Sequence, residues 1–180
     1  MQTEINKALT TLKAGGIILY PTDTIWGIGC DARNPDAVEK IYTIKKRTDS
    51  KALISLVADK NQLKNTTGNI PNFDITSTPT TVIYPKTNGL SPNLLAENGS
   101  AAIRIVQDNF CQQLIASCGF PIVSTSANIS GSVFPKQFSE ITDEIKTNVD
   151  YVVNLRQDEI MNKPSQIILI NMNGSIKKLR

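Results

Sequence analysis

Residues 17–29 read IILYPTDTIWGIG, an apolar run that changes abruptly into a polar turn. Residues 17–20 predict a short buried strand, and Pro21 ends it because proline cannot donate a backbone hydrogen bond. Two threonines and an aspartate follow at the strand end, where open α/β sheets commonly bind ligands. The two glycines near the end of the stretch permit a turn or a close backbone approach. The segment is therefore either a substrate-binding loop or an ordinary turn capped by hydroxyl and carboxyl groups.

Outside this stretch, helix and strand patterns alternate along the chain. Helices are predicted at residues 5–12, 34–45, 59–64, 108–118 and 139–149. Further strands are predicted at residues 52–57, 81–84, 101–106, 122–124, 151–155, 166–170 and 175–179. The Asn-Gly pair at 173–174 favours a hairpin between the last two strands. We expect a single domain over residues 1–180, of class α/β (α+β), with a mixed parallel and antiparallel sheet flanked by helices.

The chain of 180 residues contains no histidine. This excludes Ser-His-Asp and Cys-His catalysis and HExxH zinc sites, so any charge-stabilising work falls to Lys, Arg, carboxylates, hydroxyls, thiols or backbone amides. The net charge of +3 is too small to indicate nucleic-acid binding by itself. Three cysteines without a CxxC pair predict reduced core thiols in a cytoplasmic protein. The apolar runs are far shorter than the roughly 20 residues that a membrane span requires.

A basic cluster lies where the helix predicted at 34–45 gives way to the next strand. Its members are Lys40, Lys45, Lys46, Arg47 and Lys51. A lysine point charge beside an arginine fork suits a triphosphate, a pyrophosphate or a nucleic-acid phosphate. The alternative is a solvated helix terminus, where cations complement the helix dipole. In either case we expect Lys45 and Arg47 to lie at an exposed helix end.

A hydroxyl-rich turn follows the strand predicted at 122–124. Residues 124–131 read STSANISG and concentrate four hydroxyls and one amide at the strand end. Such groups and nearby backbone amides can bind phosphate oxygens without a Gly-rich loop. Neither GxxxxGK[ST] nor GxGxxG occurs in the chain. The alternative is a Ser/Thr-rich turn with a capping asparagine.

Three segments in this order resemble the YrdC-like family: PTDTIWGIGCDA at 21–32, KIYTIKKRTDSKALISLV at 40–57 and PIVSTSANISG at 121–131. The resemblance extends from about residue 12 to residue 170. The characteristic members of this family are threonylcarbamoyl-AMP synthases, which begin the threonylcarbamoyladenosine modification of tRNA. The resemblance implies the short bacterial form without a second C-terminal domain. It also implies a twisted mixed sheet around a concave, positively charged cavity.

The resemblance implies a reaction in which L-threonine, bicarbonate and ATP give threonylcarbamoyl-AMP and pyrophosphate. Lys45 and Arg47 match the Lys-x-Arg pair of the family, and Ser126 and Asn128 match its Ser-x-Asn pair. These four side chains are the implied catalytic residues and would hold the ATP phosphates and the forming adenylate.

Further positions match the family residue by residue. Thr24 matches the threonine of a PTxT element that contacts the amino acid, and Ser165 falls in a PSxI element that closes over it. Lys51 and Thr81 fall at positions that contact ATP in the family. The flanking positions Thr22 and Arg104 complete the implied site.

Mg²⁺ bound with ATP is the implied cofactor, and no protein side chains are expected as metal ligands because no carboxylate pair is evident in the sequence. Implied partners are separate proteins that transfer the threonylcarbamoyl group to tRNA, with tRNA or double-stranded RNA as a direct ligand. The alternative function is a non-catalytic YrdC-like protein that binds double-stranded RNA or tRNA. YrdC-like domains also occur in hydrogenase-maturation carbamoyltransferases, which carry additional zinc-finger and acylphosphatase-like domains.

Overall fold

The structure is a computed structural model that describes residues 1–46, 53–171 and 173–180. Its helices are α1 (Gln2–Lys13), α2 (Pro35–Ile44), α3 (Lys60–Thr67), α4 (Asn109–Cys118) and α5 (Asp143–Thr147). Its strands are β1 (Ile18–Tyr20), β2 (Gly27–Gly29), β3 (Ile54–Val57), β4 (Thr80–Tyr84), β5 (Ala101–Ile105), β6 (Ile122–Ser126), β7 (Tyr151–Val152), β8 (Gln166–Ile170) and β9 (Ile176–Lys178).

The described strands form one mixed sheet in the order β7-β1-β2-β6-β3-β5-β4-β8-β9. The neighbours β1 and β7, β3 and β5, and β4 and β8 run parallel. The other neighbouring pairs are antiparallel. The last of these is the predicted hairpin, in which Ile168 of β8 lies opposite Lys178 of β9. The predicted mixed α/β class is therefore confirmed.

Three apolar clusters cover the sheet, and two of them pack against its opposite faces at β6. Ile122 of β6 packs in a cluster with residues of α1 and α4, including Leu114. The next residue, Val123, belongs to a second cluster with Trp26 and with Ile41 of α2. Consecutive residues of a strand point to opposite faces of a sheet, so β6 lies between the two clusters. The sheet is thus the middle of three layers.

The start of α2 follows the capping signal in its sequence. Asn34 Oδ1 accepts hydrogen bonds from the backbone N–H groups of Asp36 and Ala37, at 3.0 and 3.1 Å. Pro35 occupies the first helical position. A backbone N–H at this position would have no partner within the helix, so proline loses no hydrogen bond there. The predicted start of this helix is therefore confirmed, and it orients the C-terminal end of α2 toward β6.

The start of α5 differs from the prediction. Ser139 lies in a single 3-10 turn at Phe138–Glu140, and the α-helix begins only after Thr142. Ile141 and Ile145 are both buried in the second cluster. The helix predicted from residue 139 is wrong at its start because burial of Ile141 fixes an extended backbone between the 3-10 turn and the helix.

Strand β2 lies in the stretch where the sequence pattern indicates only a turn. It pairs antiparallel with β1 and β6, and Gly27 lies opposite Ser126. A Cβ atom on Gly29 would lie only 2.1 Å from the carbonyl oxygen of Val123. The close approach permitted by these glycines is therefore an approach between neighbouring strands.

Candidate active site

A cleft opens where the loop after β1, the end of β6 and the C-terminal hairpin meet. We call it the central cleft, and its lining residues are Thr24, Ile25, Gly27, Ile54, Arg104, Ser124, Thr125, Ser126, Pro164, Ser165 and Arg180. Thr24, Arg104, Ser126 and Ser165 are among the site residues named from the sequence. An adjoining cavity shares most of this lining and extends it to Leu53 and Phe134. The topology therefore gathers hydroxyl groups and two arginines around one space.

Arg104 forms the floor of the cleft beneath the loop that follows β1. Its side chain is only 3% exposed, and Nη2 lies 3.1 Å from Asp23 Oδ1. Its Nη1 donates a hydrogen bond of 3.0 Å to Thr24 Oγ1. The second carboxylate oxygen of Asp23 accepts the backbone N–H of Gln107 at 3.0 Å. A buried guanidinium is stable only when it is paired, so Asp23 both neutralises Arg104 and fixes the loop that carries Thr24.

The hydroxyls of Thr22 and Thr24 lie 3.0 Å apart beneath the cleft. Thr22 Oγ1 accepts the backbone N–H of Thr24 and donates to the carbonyl oxygen of Ile25 at 2.8 Å. Because this shorter bond uses the single hydroxyl hydrogen of Thr22, the Thr24 hydroxyl donates to Thr22. Thr24 Oγ1 also accepts a hydrogen bond from Arg104. Toward the cleft this oxygen can therefore accept one more hydrogen bond but has no hydrogen left to donate. It is therefore suited to a ligand group that donates a hydrogen bond.

The opposite wall is built from β4, β8 and the end of the chain. Thr81 is fully buried, and its hydroxyl lies 2.8 Å from Ser165 Oγ. Arg180 donates from Nε and Nη2 to the carbonyl oxygen of Ser165, at 3.0 and 2.9 Å. The β8–β9 hairpin brings Arg180 beside Ser165. The sequence offers only a basic C-terminal strand as a signal for Arg180, and the reasoning from sequence did not name it.

Lys45 does not lie at an exposed helix end, and that expectation is wrong. Only 3% of Lys45 is exposed. Its Nζ donates to the carbonyl oxygens of Ser126 and Asn128, both at 2.7 Å. The backbone N–H of Ser130 in turn donates to the carbonyl oxygen of Lys45 at 2.9 Å. The end of α2 is packed against the turn after β6, so this ammonium organises the backbone of the hydroxyl-rich turn.

Ser126 and Asn128 occupy different places in that turn. Ser126 lines the central cleft at the end of β6. The side-chain amide of Asn128 donates to the carbonyl oxygens of Ile129 and Ser132, at 3.0 and 2.7 Å. Its buried Oδ1 has no hydrogen-bond partner in the described part of the chain. Asn128 therefore braces the turn, while Ser126 faces the cleft.

Arg47 and Lys51 lie outside the described residues. Residues 48–50, which lie between them, are also outside the described ranges. On its C-terminal side, Leu53 lines the extension of the cleft and Ile54 lines the cleft itself. The arginine of the predicted Lys-x-Arg pair and the lysine four residues later thus remain predictions.

The three cysteines are buried core residues, as their spacing predicts. Burial, together with the nearby Asp31 carboxylate, raises the pKa of Cys118 to about 12. Burial likewise raises the pKa of Cys111 well above its ordinary value. Neutral thiols are poor nucleophiles, so these cysteines serve as core residues rather than as catalytic groups.

Two structural features are absent from residues 1–46, 53–171 and 173–180. These ranges contain no group of three or more acidic or thiol side chains placed to hold a metal ion. No helix in the same ranges has the length and apolarity needed to cross a membrane. The guanidinium and hydroxyl groups that line the cleft suit anions and hydrogen-bonding substrates.

These features define a mixed α/β protein with a polar cleft at the junction of several strand ends. The family model described as "Telomere recombination", for Sua5, YciO and YrdC proteins, matches residues 10–180. The chain belongs to this Sua5/YciO/YrdC family, and the predicted resemblance is confirmed.

Relatives with assigned names cover most of the chain. The threonylcarbamoyl-AMP synthase of Vibrio vulnificus (strain YJ016) is 29% identical over 167 residues, which cover 85% of this chain and 87% of the relative. The putative threonylcarbamoyl-AMP synthase of Methanocaldococcus jannaschii is 34% identical over 178 residues, covering 94% and 83%.

The fold is also shared with a solved structure. P. abyssi Sua5 complexed with L-threonine matches with a TM-score of 0.84 and 21% sequence identity. The match covers 100% of this chain and 54% of that protein. At this level of identity the likeness shows the fold.

Proposed function

We propose that this protein is a threonylcarbamoyl-AMP synthase, a nucleotidyltransferase that forms threonylcarbamoyl-AMP and pyrophosphate from L-threonine, bicarbonate and ATP. Relatives over most of the chain carry this name. The observation that carries the proposal is the central cleft, which gathers Thr24, Arg104, Ser126, Ser165 and Arg180 from distant parts of the sequence.

The amino-acid end of the cleft is assigned to the Thr24 side. Thr24 Oγ1 offers only acceptor capacity, which suits the ammonium or hydroxyl group of L-threonine. Ser165 offers a hydroxyl across the cleft, and its contact with Thr81 holds that hydroxyl in place. A substrate with both an amine and a hydroxyl group can therefore contact both walls.

The nucleotide end is assigned to the Arg180 side. Arg180 also lines a second cavity next to the cleft, whose other lining residues are Ile54, Thr81, Ile83, Ala96, Ser100, Ala101, Ala102, Ile167 and Leu179. Apolar walls with a few polar groups suit a purine ring. Arg180 and Ser126 then face the phosphates, Arg47 and Lys51 are proposed to complete their binding, and Asn128 supports the turn that carries Ser126.

The reaction requires positioning more than a protein nucleophile. The amine of threonine attacks CO₂ with loss of one proton, or bicarbonate with loss of water, to give a carbamate. A carbamate oxygen then attacks the α-phosphate of ATP, and the bond from that phosphorus to the bridging oxygen of the departing pyrophosphate breaks. Placed guanidinium and hydroxyl donors stabilise the charge that develops on the phosphate oxygens. Mg²⁺ enters as part of the ATP complex, with phosphate oxygens and water as its ligands.

We extend the proposal to the cellular role. The product is passed to separate proteins that complete threonylcarbamoyladenosine in tRNA, and the enzyme acts in the cytoplasm. Its catalytic unit is one domain over residues 1–180.

Pyrophosphate release tests the proposal. The protein is incubated with ATP, Mg²⁺ and bicarbonate, with and without L-threonine, and we expect release that depends on L-threonine. Ser126→Ala removes a cleft hydroxyl and is expected to lower kcat/KM about 100-fold, the usual loss for one transition-state donor. Ser130→Ala, four residues along the same turn at an exposed position, is the matched control and keeps normal activity.

Two outcomes contradict the proposal. Absence of threonine-dependent pyrophosphate release together with tight binding of double-stranded RNA would favour the non-catalytic alternative. Equal activity of the Ser126→Ala and Ser130→Ala variants would remove Ser126 from the site.

A further inference from the structure

The loop at residues 21–25 is held by contacts on two sides, one facing the cleft and one facing away from it. On the cleft side, Arg104 contacts Asp23 and Thr24. On the opposite side, the thiol of Cys111 contacts the carbonyl oxygen of Pro21 at 3.3 Å. Neither of these contacts supplies a hydrogen-bond donor to the carbonyl oxygen of Thr22.

That donor is Arg156, which lies beyond β7 and far from the loop in sequence. Its Nη1 donates to the carbonyl oxygen of Thr22 at 3.2 Å. The same guanidinium pairs with the carboxylate of Asp108, and its Nε donates to Glu159 Oε2 at 2.7 Å. One side chain thus connects the loop at 21–25 to α4 and to the segment after β7.

The backbone of Arg156 indicates that its side chain is needed there. Its φ is 54°, in the left-handed region that costs a residue with a Cβ atom about 1 kcal/mol or more. Glycine adopts this conformation without that cost. The contacts of the Arg156 side chain compensate the cost of this backbone conformation. One of these contacts is with the loop that carries Thr24.

Asp108 gives the network a rigid base. Its Oδ1 accepts the backbone N–H of Cys111 at 2.8 Å and caps α4, while Oδ2 pairs with Arg156. The side chain of Asp108 is 12% exposed and that of Arg156 is 29% exposed, so the pair is partly shielded from water. The position of the guanidinium is therefore set by the end of a packed helix.

A fixed Thr22 transmits this constraint to the cleft. The Thr22 hydroxyl contacts both the hydroxyl and the backbone N–H of Thr24. Loss of the donor on the Thr22 carbonyl frees the backbone of this residue to shift, and a displaced Thr22 takes its hydroxyl away from Thr24, which then loses the partner that directs its lone pair into the cleft. Arg104 cannot replace this contact because it holds only the second half of the loop.

We propose that Arg156 is a positioning residue for recognition of the amino-acid substrate, acting through Thr22 on Thr24. The inference rests on the proposed function and extends the site to a residue outside the cleft. Arg156 contacts the substrate at no point in this scheme. Its loss therefore affects L-threonine and leaves ATP recognition, on the Arg180 side, unchanged.

The test is Arg156→Gly, which keeps the left-handed backbone and removes the guanidinium. We expect KM for L-threonine to rise about fivefold to tenfold, the effect of weakening one charge-assisted contact, with kcat and KM for ATP within about twofold. Arg156→Lys retains one charged donor and is expected to fall between Arg156→Gly and the wild type. Glu159→Gln, which alters only the more exposed partner of Arg156, is the matched control and keeps wild-type constants.

Calorimetric binding of L-threonine separates the failure of this inference from that of the proposed function. Wild-type protein that binds L-threonine but releases no pyrophosphate contradicts the synthase assignment, and a weaker affinity in Arg156→Gly still supports the role of Arg156. Equal L-threonine constants in the wild type and Arg156→Gly overturn the inference, as does a parallel rise in both KM values, which indicates general loss of structure. Wild-type protein that binds no L-threonine overturns both proposals.

Discussion

The ammonium group of Lys45 shows at the scale of one residue how burial changes an assignment. The sequence places it beside Arg47 at a helix end, where a phosphate clamp and a solvated cation are both reasonable. In the structure it is buried and donates to two backbone carbonyls of the turn after β6. One effect of Lys45 on the cleft is therefore to fix the backbone of the turn that carries Ser126, and its contact with the ATP phosphates stays a prediction.

Lys45→Met is expected to lower the free energy of unfolding by about 2–4 kcal/mol, because two buried carbonyls lose a charged donor. Urea unfolding followed by circular dichroism measures this change. Lys46→Met is the matched control because Lys46 is exposed and pairs with the exposed Glu144, so its loss costs at most about 1 kcal/mol. Equal stability of the two variants would contradict the structural role of Lys45.

At the scale of elements, β2 is the least expected strand. A Gly-Ile-Gly sequence has little strand propensity, and the preceding polar residues indicate a turn. The strand forms because glycine lets three backbones approach closely, and because Ile28 fills the second core cluster. Its pairing with β1 and β6 directs the loop at 21–25 and the turn after β6 toward the same cleft.

Gly29→Ala is therefore expected to destabilise the protein by about 3 kcal/mol, since the added methyl group meets the carbonyl oxygen of Val123 at 2.1 Å. Gly99→Ala is the control because a Cβ atom at this position meets nothing within 4 Å. The only cost of this substitution is that of placing alanine at a positive φ, about 1 kcal/mol. Thermal unfolding of both variants provides the comparison. Gly29→Ala unfolding at or above the temperature of Gly99→Ala would show that β2 tolerates a side chain.

At the scale of the whole molecule, the cleft joins opposite parts of the sheet. Thr24 and Ser126 belong to the half with β1, β2 and β6, whereas Ser165 and Arg180 belong to the half with β4, β8 and β9. A ligand that contacts both halves binds only the folded state of the chain and not the unfolded state. Binding therefore adds directly to global stability.

We expect L-threonine at about 100 times its Kd to raise the free energy of unfolding by about 2.7 kcal/mol and to raise Tm accordingly. Thr24→Val keeps the shape of the side chain and removes its acceptor, so most of this stabilisation is expected to disappear. L-alanine, which lacks the hydroxyl group, is the matched ligand control. A threonine-induced shift of equal size in Thr24→Val would place the amino acid elsewhere.

Features that depend on neighbours along the chain can be predicted from the amino-acid sequence. Asn34 and Pro35 set the start of α2, the Asn-Gly pair set the β8–β9 hairpin, and apolar periodicity set the strands of a mixed sheet. Each arises from local hydrogen bonding and from side chains spaced at the period of one element. The ordered segments of the sequence also indicated the family.

The contacts between polar groups, in contrast, are seen only once the chain is folded. Arg180 reaches the Ser165 carbonyl through the register of the β8–β9 hairpin. Lys45 on the Ser126 carbonyl and Arg156 on the Thr22 carbonyl join elements that are distant in sequence. Such contacts depend on strand order and on the packing of helix ends, and no local pattern encodes them. For this reason the sequence named much of the cleft but assigned Lys45 to an exposed helix end and gave no role to the two arginines.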